Sequence, residues 1–544
     1  MGNKVNFMRY ADFSFKKVLS MTMVFMILIF ATGITYGQKK DYLRGFSISY
    51  YFNTIENTLK TFAYKYEFSN YQGNSFTASV FDALGKDFSL NSDNSGKTAK
   101  SLPVLVYHGI TANTDEFNIS PDLFKEQMFA LKEAGYETVK IDDVMAFFRG
   151  EKTLPEKSFL LTFDDGRRDS FYNADPILQT LNYTAVMFVI TKESVSEANS
   201  RSSFYLSKWE LERVAKNNNW EIESHGRNAH GFYPIDEKGN SGHFFSNKLW
   251  LKDKNRLETT EEFEDRITED MIGAKEDLEN SFRIHVTSFA FPFGEFGQEE
   301  TNFNEANEIA LRDSKSIYDF LYYQIRGENG FTRNYPTEDS FLIKRIKVET
   351  SWKGSDLVWL LNTSSDKSLS YIDNMDSDNG WLDPWGDSYM ENENLVLKAS
   401  PNTKGSFVFL NGTYLWSNYE LEASVNFPKG SAVALIAQYK DEKNYSMCKF
   451  TYDHATLEEK IDGKQKILAI TKKPFDLPRS EWGKIGAIVD GNTISCLWNS
   501  EEAIPKEEVN EILSHGGIGF TTWGEKFNES ELRIKKIVAS PIEL

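Results

Sequence analysis

From Leu102 onward, short unbroken apolar runs take turns with segments of helical period. "PVLVYH" is followed by "SPDLFKEQMFALKEAG", "ETVKI" by "DDVMAFFRG", and "SFLLTF" closes the series. Strands alternating with helices predict a parallel sheet or barrel, and strands lacking polar alternation predict burial on both faces. Ser120 followed by Pro121 predicts a helix start, a cap and then a first-turn proline, and Gly135 predicts its end. At about residue 364 the pattern changes. From there to Leu544 apolar and polar positions alternate in runs such as "YELEASVNF", "SAVALIAQY", "YSMCKFTY" and "LRIKKIVAS", with turns at short intervals. That period predicts an antiparallel β-sandwich. The chain therefore reads as multidomain, with a β/α domain over residues 101–363 and a β-sandwich over residues 364–544.

The first forty residues carry a different signal. Lys4, Arg9, Lys16 and Lys17 precede "VLSMTMVFMILIFATGITYG", a stretch without charge. About twenty apolar residues suffice to span a bilayer. Small residues near its end, Ala31, Gly33 and Gly37, fit a cleaved signal peptide equally well. Either reading of residues 1–40 exports the rest of the chain, giving an extracytoplasmic protein that is secreted or held at the membrane by this segment. Residues 41–100 read as a tether, aromatic and partly amphipathic at first, then a linker by composition in "GKDFSLNSDNSGKTAKS".

Charge and cysteine content narrow the partners. A net charge of -19 over 544 residues, with no cluster of lysine and arginine, excludes nucleic acid. The two cysteines, Cys448 and Cys496, are too few for a disulfide framework or a cysteine zinc site. They are either one pair or two small core residues.

Three short stretches carry candidate chemistry. In "LLTFDDG" two adjacent acids, Asp164 and Asp165, follow a buried-type strand, where parallel sheets present their ligands. The same residues also suit a plain turn, because aspartate caps and glycine supplies positive φ. In "WEIESHGRNAHGF", His225 and His230 stand five apart. That spacing suits neither one helix face nor one strand face, so both can meet one ion only from a loop, which Gly226 permits. Aspartate with two histidines is a common zinc set that leaves positions open for water and substrate. In "SFAFPFGEFG", Pro292 and Gly294 form a strand-ending turn that can aim a backbone N–H at a developing oxyanion.

Taken in order behind "LVYHGI", the motifs "LTFDDG", "SHGRNAH" and "FPFG" resemble the polysaccharide deacetylases of carbohydrate esterase family four, the NodB-like domains, over roughly residues 102 to 350. The resemblance is closest to the poly-N-acetylglucosamine deacetylase branch. It implies a distorted (β/α)7 barrel and metal-dependent removal of N-acetyl groups from an acetylated amino-sugar polysaccharide. The metal it implies is Zn2+ or another divalent ion. Carried across by motif, Asp164 is the catalytic base and Asp165, His225 and His230 are the metal ligands. The backbone N–H of Phe293 faces the oxyanion, and His108 of the early Tyr-His is the catalytic acid, with His243 next in line.

The chain also departs from the family pattern. The arginine that braces the base in many relatives is missing before Pro292, and no histidine follows until His454. An insertion after the histidine loop brings His243 and Trp250, as a wall of the substrate cleft or as a solvated loop. The sandwich resembles concanavalin-like jelly rolls attached to carbohydrate enzymes. It contains Trp381, Trp385, Trp416, Trp482, Trp498 and Trp523, which stack on sugars or fill its core. The expected function is that of an exported metal-dependent polysaccharide N-deacetylase. An inactive glycan-binding barrel and a glycoside hydrolase are the alternatives.

Overall fold

The computed structural model describes residues 48–71, 96–195, 202–298, 301–326, 330–336 and 341–542. The apolar segment expected to be a signal or anchor lies outside the described residues. Among the described residues no helix is long and apolar enough to cross a membrane. The chain divides into two units, Met1–Leu59 and Lys60–Leu544. Of the first, only the start of the helix Ile48–Tyr71 is described. All remaining described elements belong to the second.

Seven parallel strands form a closed barrel: β1 (Leu102–Tyr107), β2 (Ser158–Phe163), β3 (Ala185–Val189), β4 (Trp220–Ser224), β5 (Ser288–Ala290), β6 (Phe320–Ile325) and β7 (Leu342–Lys347). They neighbour one another in sequence order. The ring closes where β1 pairs on one side with β2, Val104 opposite Leu160, and on the other with β7, Leu105 opposite Ile346. Every residue of β1 and β2 is buried, as unbroken apolar runs predict. The distortion lies between β6 and β7, which no helix separates among the described residues. A short strand there, Arg333–Asn334, runs antiparallel to β1.

Helices wrap the ring for reasons visible in their periods. In Thr260–Phe282 the buried Phe263, Ile267, Met271, Ala274 and Leu278 recur at three- and four-residue steps, one face of a helix. Thr259 and Glu262 form a capping box at its start. Ser120 caps Pro121–Glu133 as expected, its Oγ accepting from Leu123 N at 3.2 Å, and Gly135 adopts φ +85° beyond its end.

The C-terminal part is two antiparallel sheets of eight and seven strands. Along Ala432–Asp441, Val433, Leu435 and Ala437 face the core between the sheets, whereas Ala434 and Ile436 face outward. Cys448, on Asn444–Thr451, and Cys496, on Thr493–Trp498, belong to opposite sheets and are bonded to each other, with Cα atoms 5.6 Å apart. Of the two options left by composition, the structure takes the pair. Trp381 and Trp416 are core residues, and Trp482 is exposed. The outward face receives Phe331 from the segment before β7, its ring 5.2 Å from Phe409 and 5.8 Å from Tyr439. Burying one phenylalanine is worth about 1.5–3 kcal/mol. Buried Arg333 reinforces this seam, donating to Leu361 O and to Oγ of Ser364 and Ser365.

Candidate active site

β2 delivers Asp164 and Asp165 to the carboxyl rim of the barrel. Asp165 has φ +72° and Gly166 φ +69°, two left-handed residues in succession that reverse the chain. Aspartate tolerates this conformation better than most side chains. At position 166 even a Cβ would come within 3.2 Å of Ser194 Oγ and 3.3 Å of Val189 Cγ1. The consequence is that two neighbouring carboxylates point at different partners.

Asp164 is buried and meets Arg345 in a two-pronged bond, Nη1 to Oδ1 at 2.5 Å and Nη2 to Oδ2 at 2.8 Å. Arg345 lies on β7 with no exposed surface. Burial raises the Asp164 pKa, but the Arg345 charge, with smaller help from His225 and His108, outweighs it, so the carboxyl stays below its ordinary range. Asp165 is likewise buried, and its pKa is likewise low because His230 outweighs the burial penalty.

His225 follows β4, and its Nδ1 lies 2.8 Å from Ala290 O on β5. That bond turns Nε2 toward Asp165 Oδ1, 3.6 Å away, and His230 Nε2 approaches the same oxygen to 3.1 Å. Burial pushes the His225 pKa down to about 4, so its ring is neutral near pH 7 and free to ligate. Burial also lowers that of His230, yet the Asp165 carboxylate more than compensates and the net shift is upward.

Five-residue spacing works because the loop between the histidines is clamped. Gly226 takes φ +81°, and the carboxylate of Asp270, on Thr260–Phe282, accepts the N–H groups of Arg227 at 2.9 Å and Asn228 at 2.6 Å. Arg227 in turn forks onto Asp277 with two bonds of 2.8 Å.

Asp165, His225 and His230 thus bring one ligand atom each within 4.8 Å of the others. Asp165 Oδ1 is buried and makes no well-angled hydrogen bond, although both imidazoles face it. Three donors that converge on a point fit a divalent cation, and one oxygen with two imidazole nitrogens suits zinc chemistry.

The remaining expected residues reach the same rim. His108, just past β1, sets Nε2 3.9 Å from Asp164 Oδ2. Burial lowers its pKa more than the two aspartates raise it. Phe293, in the turn Pro292–Gly294, has φ +62° and stacks its ring on His230 at 4.5 Å. From the insertion, the hairpin Phe232–Pro234 with Ser241–His243 brings the His243 ring to 4.6 Å from Phe293. Trp250 belongs to a second hairpin with Arg256–Leu257. The missing brace is the main correction to the sequence reading: Arg345 supplies it from the last barrel strand.

The polysaccharide deacetylase family model matches residues 151–312, a span that includes both acids and both histidines. Over 270 residues, 48% of this chain, the sequence is 27% identical to the poly-beta-1,6-N-acetyl-D-glucosamine N-deacetylase of Escherichia coli K12. The match spans only 38% of that relative's length. Solved structures similar to the domain include a de-N-acetylase from Aggregatibacter actinomycetemcomitans, 20% identical with a TM-score of 0.41, covering 48% of this chain and 99% of that one. IcaB from Ammonifex degensii is 18% identical with a TM-score of 0.36, covering 48% of this chain and 97% of that one.

Proposed function

We propose that this protein is an exported, zinc-dependent enzyme that hydrolyses N-acetyl groups from an amino-sugar polysaccharide. The observation that carries the reading is the division of labour between neighbouring acids. Asp165 faces two imidazoles, while Asp164 is tied to Arg345 and faces His108. Asp165, His225 and His230 would hold a divalent ion, which would supply Lewis-acid chemistry at this point of the rim. Asp164, kept ionised by Arg345, takes the proton that water loses as its oxygen bonds to the carbonyl carbon. The Phe293 N–H donates to the oxygen on which negative charge develops. His108 then gives a proton to the sugar nitrogen as the C–N bond breaks, leaving acetate and a free amine.

The substrate class is extended from the E. coli relative, whose name specifies poly-beta-1,6-N-acetyl-D-glucosamine. Export is supported by the charge-free N-terminal stretch and by a disulfide, which persists in oxidising compartments. The sandwich is assigned to holding polymer. A glycoside hydrolase would need two available carboxylates roughly 5 to 10 Å apart. Here the adjacent acids are committed to Arg345 and to the histidines.

The deciding experiment incubates residues 38–544, loaded with zinc, with a panel of acetylated glycans and measures acetate. Release that stops on chelation and returns with zinc is the expected result. Reducing ends without acetate would mean a glycosidase, and tight zinc without acetate from any glycan would mean a binding barrel.

A further inference from the structure

Antiparallel sheets commonly turn one face to the core and the other to water. The outward face of the seven-stranded sheet is aromatic instead. Its registers set Trp385 opposite Phe407, Phe407 opposite Thr521, Thr521 opposite Ala434 and Ala434 opposite Lys449. Trp523 stands opposite Ala432 and Gly405, and a Cβ at Gly405 would lie 3.3 Å from Trp385 Cζ3, so the two indoles border one trough. Tyr445 stands opposite Lys460 at the far side. Phe331, from the segment before β7, covers one end of this face against Phe409 and Tyr439. Trp385, Tyr445 and Trp523 stay partly exposed.

Beneath these rings lie polar groups that the fold does not use. Tyr439 Oη and Thr521 Oγ1 are buried without a hydrogen-bond partner among the described residues. Buried hydroxyls are nearly always paired, and an unpaired one costs stability. Lys449 Nζ lies 5.4 Å from the Trp523 ring centre and 3.6 Å from Glu458 Oε1, which also accepts from Thr456 Oγ1 at 2.6 Å. Lys460 Nζ lies 5.4 Å from the Tyr445 ring centre and makes no ion pair among the described residues. The Glu442 carboxylate also acts on Tyr445, from an exposed turn where water and salt screen it.

Aromatic planes beside hydroxyls and N–H donors suit a pyranose, which offers flat C–H faces and hydroxyl edges. Trp385 and Lys449 are four strands apart, about 19 Å, so the face accommodates a run of sugars. Building on the deacetylase reading, we infer that this face is a second polysaccharide site, apart from the barrel, which grips acetylated polymer and lets it go once deacetylated. Trp385 and Trp523 stack on sugar rings, and the edge of a sugar that enters between them meets Thr521 and Tyr439. Lys460 donates to an acetamide oxygen. An acetylated sugar is neutral, whereas the freed amine takes up a proton and meets Lys449 and Lys460 as like charge.

The test separates binding from turnover. Zinc-loaded D164N protein is titrated at pH 6 with hexamers of N-acetylglucosamine and of glucosamine, and heat is measured. The acetylated hexamer should fill two sites per chain, and W385A and W523A should each weaken one of them about fivefold. At that same site the glucosamine hexamer should bind about fivefold more weakly than the acetylated one, and K460E, which alters charge and keeps every ring, should close the gap. With Asp164 restored, W385A and W523A should release acetate from the dimer at the parental rate. Parental binding in both tryptophan variants, equal affinity for the two hexamers, or a gap that K460E leaves unchanged would overturn the inference. Self-association that W523A abolishes in sedimentation would make the face a contact between copies and also overturn it. Tryptophan-dependent binding without acetate from any glycan would overturn the deacetylase reading alone.

Discussion

Arg345 and Asp164, 181 positions apart, meet inside the barrel with the two terminal guanidinium nitrogens each on one carboxylate oxygen and no exposed surface on the arginine. Removing one partner of such a pair strands the other as an unpaired buried charge, which costs about 3–5 kcal/mol. R345A should therefore melt well below the parent and lose activity. R345K keeps the charge but not the fork, so its melting point should move less while turnover falls by about 10-fold or more. Parental turnover in R345K would mean that the two-pronged geometry does not matter to the base.

Asp164→Asn is nearly isosteric but takes no proton. It should retain one zinc per chain and lose about 10²–10⁴ in kcat, the usual contribution of a general base. Zinc analysis alongside acetate release checks both halves. Unchanged turnover would remove Asp164 from its role.

His108→Ala should leave metal content intact and cut turnover by about 10²–10⁴, with the basic limb of the pH profile lost, because an acid stops working as it deprotonates. Loss of metal in this variant would make His108 a ligand. Normal deacetylation would pass the role to His243.

Metal uptake should depend on pH with a defined slope. His230 is the candidate ligand whose pKa is raised, through Asp165, so below that pKa zinc would have to displace one proton from it. Apparent affinity should be flat above it and fall about tenfold per pH unit below it. His225, whose pKa is about 4, adds a second proton only near that value. Competition titrations from pH 8 to pH 5 that show no slope would contradict this. In the same assay D270A, which frees the clamped loop, should weaken zinc by about 10–100-fold, and D270N by less.

The Cys448–Cys496 bond ties the two sheets across a sequence separation of 48. Its removal by C448S with C496S should destabilise the sandwich by about 2–4 kcal/mol. Calorimetry should find one transition lowered while the zinc-dependent one stays in place. A parental thermogram would mean that the bond adds nothing to the folded sandwich.

The sequence made some parts of this molecule legible and hid others for physical reasons. Unbroken apolar runs announced β1 and β2, and the acids and histidines stood out because their chemistry is concentrated in a few consecutive positions. Arg345 did not, because "LIKRIK" reads as a strand with one wet face, and nothing local says that its arginine faces inward. Asp270 was hidden because it serves the histidine loop through backbone N–H groups, which leave no side-chain signature. Phe293 was picked for its amide, yet its ring stacks on that of His230.

The ring closes where β7 meets β1, and that seam joins the strand that braces Asp164 to the strand that leads into His108, beside the strand that carries Asp164. A chain that has emerged only as far as β6 holds its three candidate metal ligands but has an unbraced Asp164. Competence therefore arrives late in the birth of the protein, at one moment and near the end of its barrel. On the proposed reading, a polypeptide still being delivered to its compartment stays chemically silent until β7 has joined the ring.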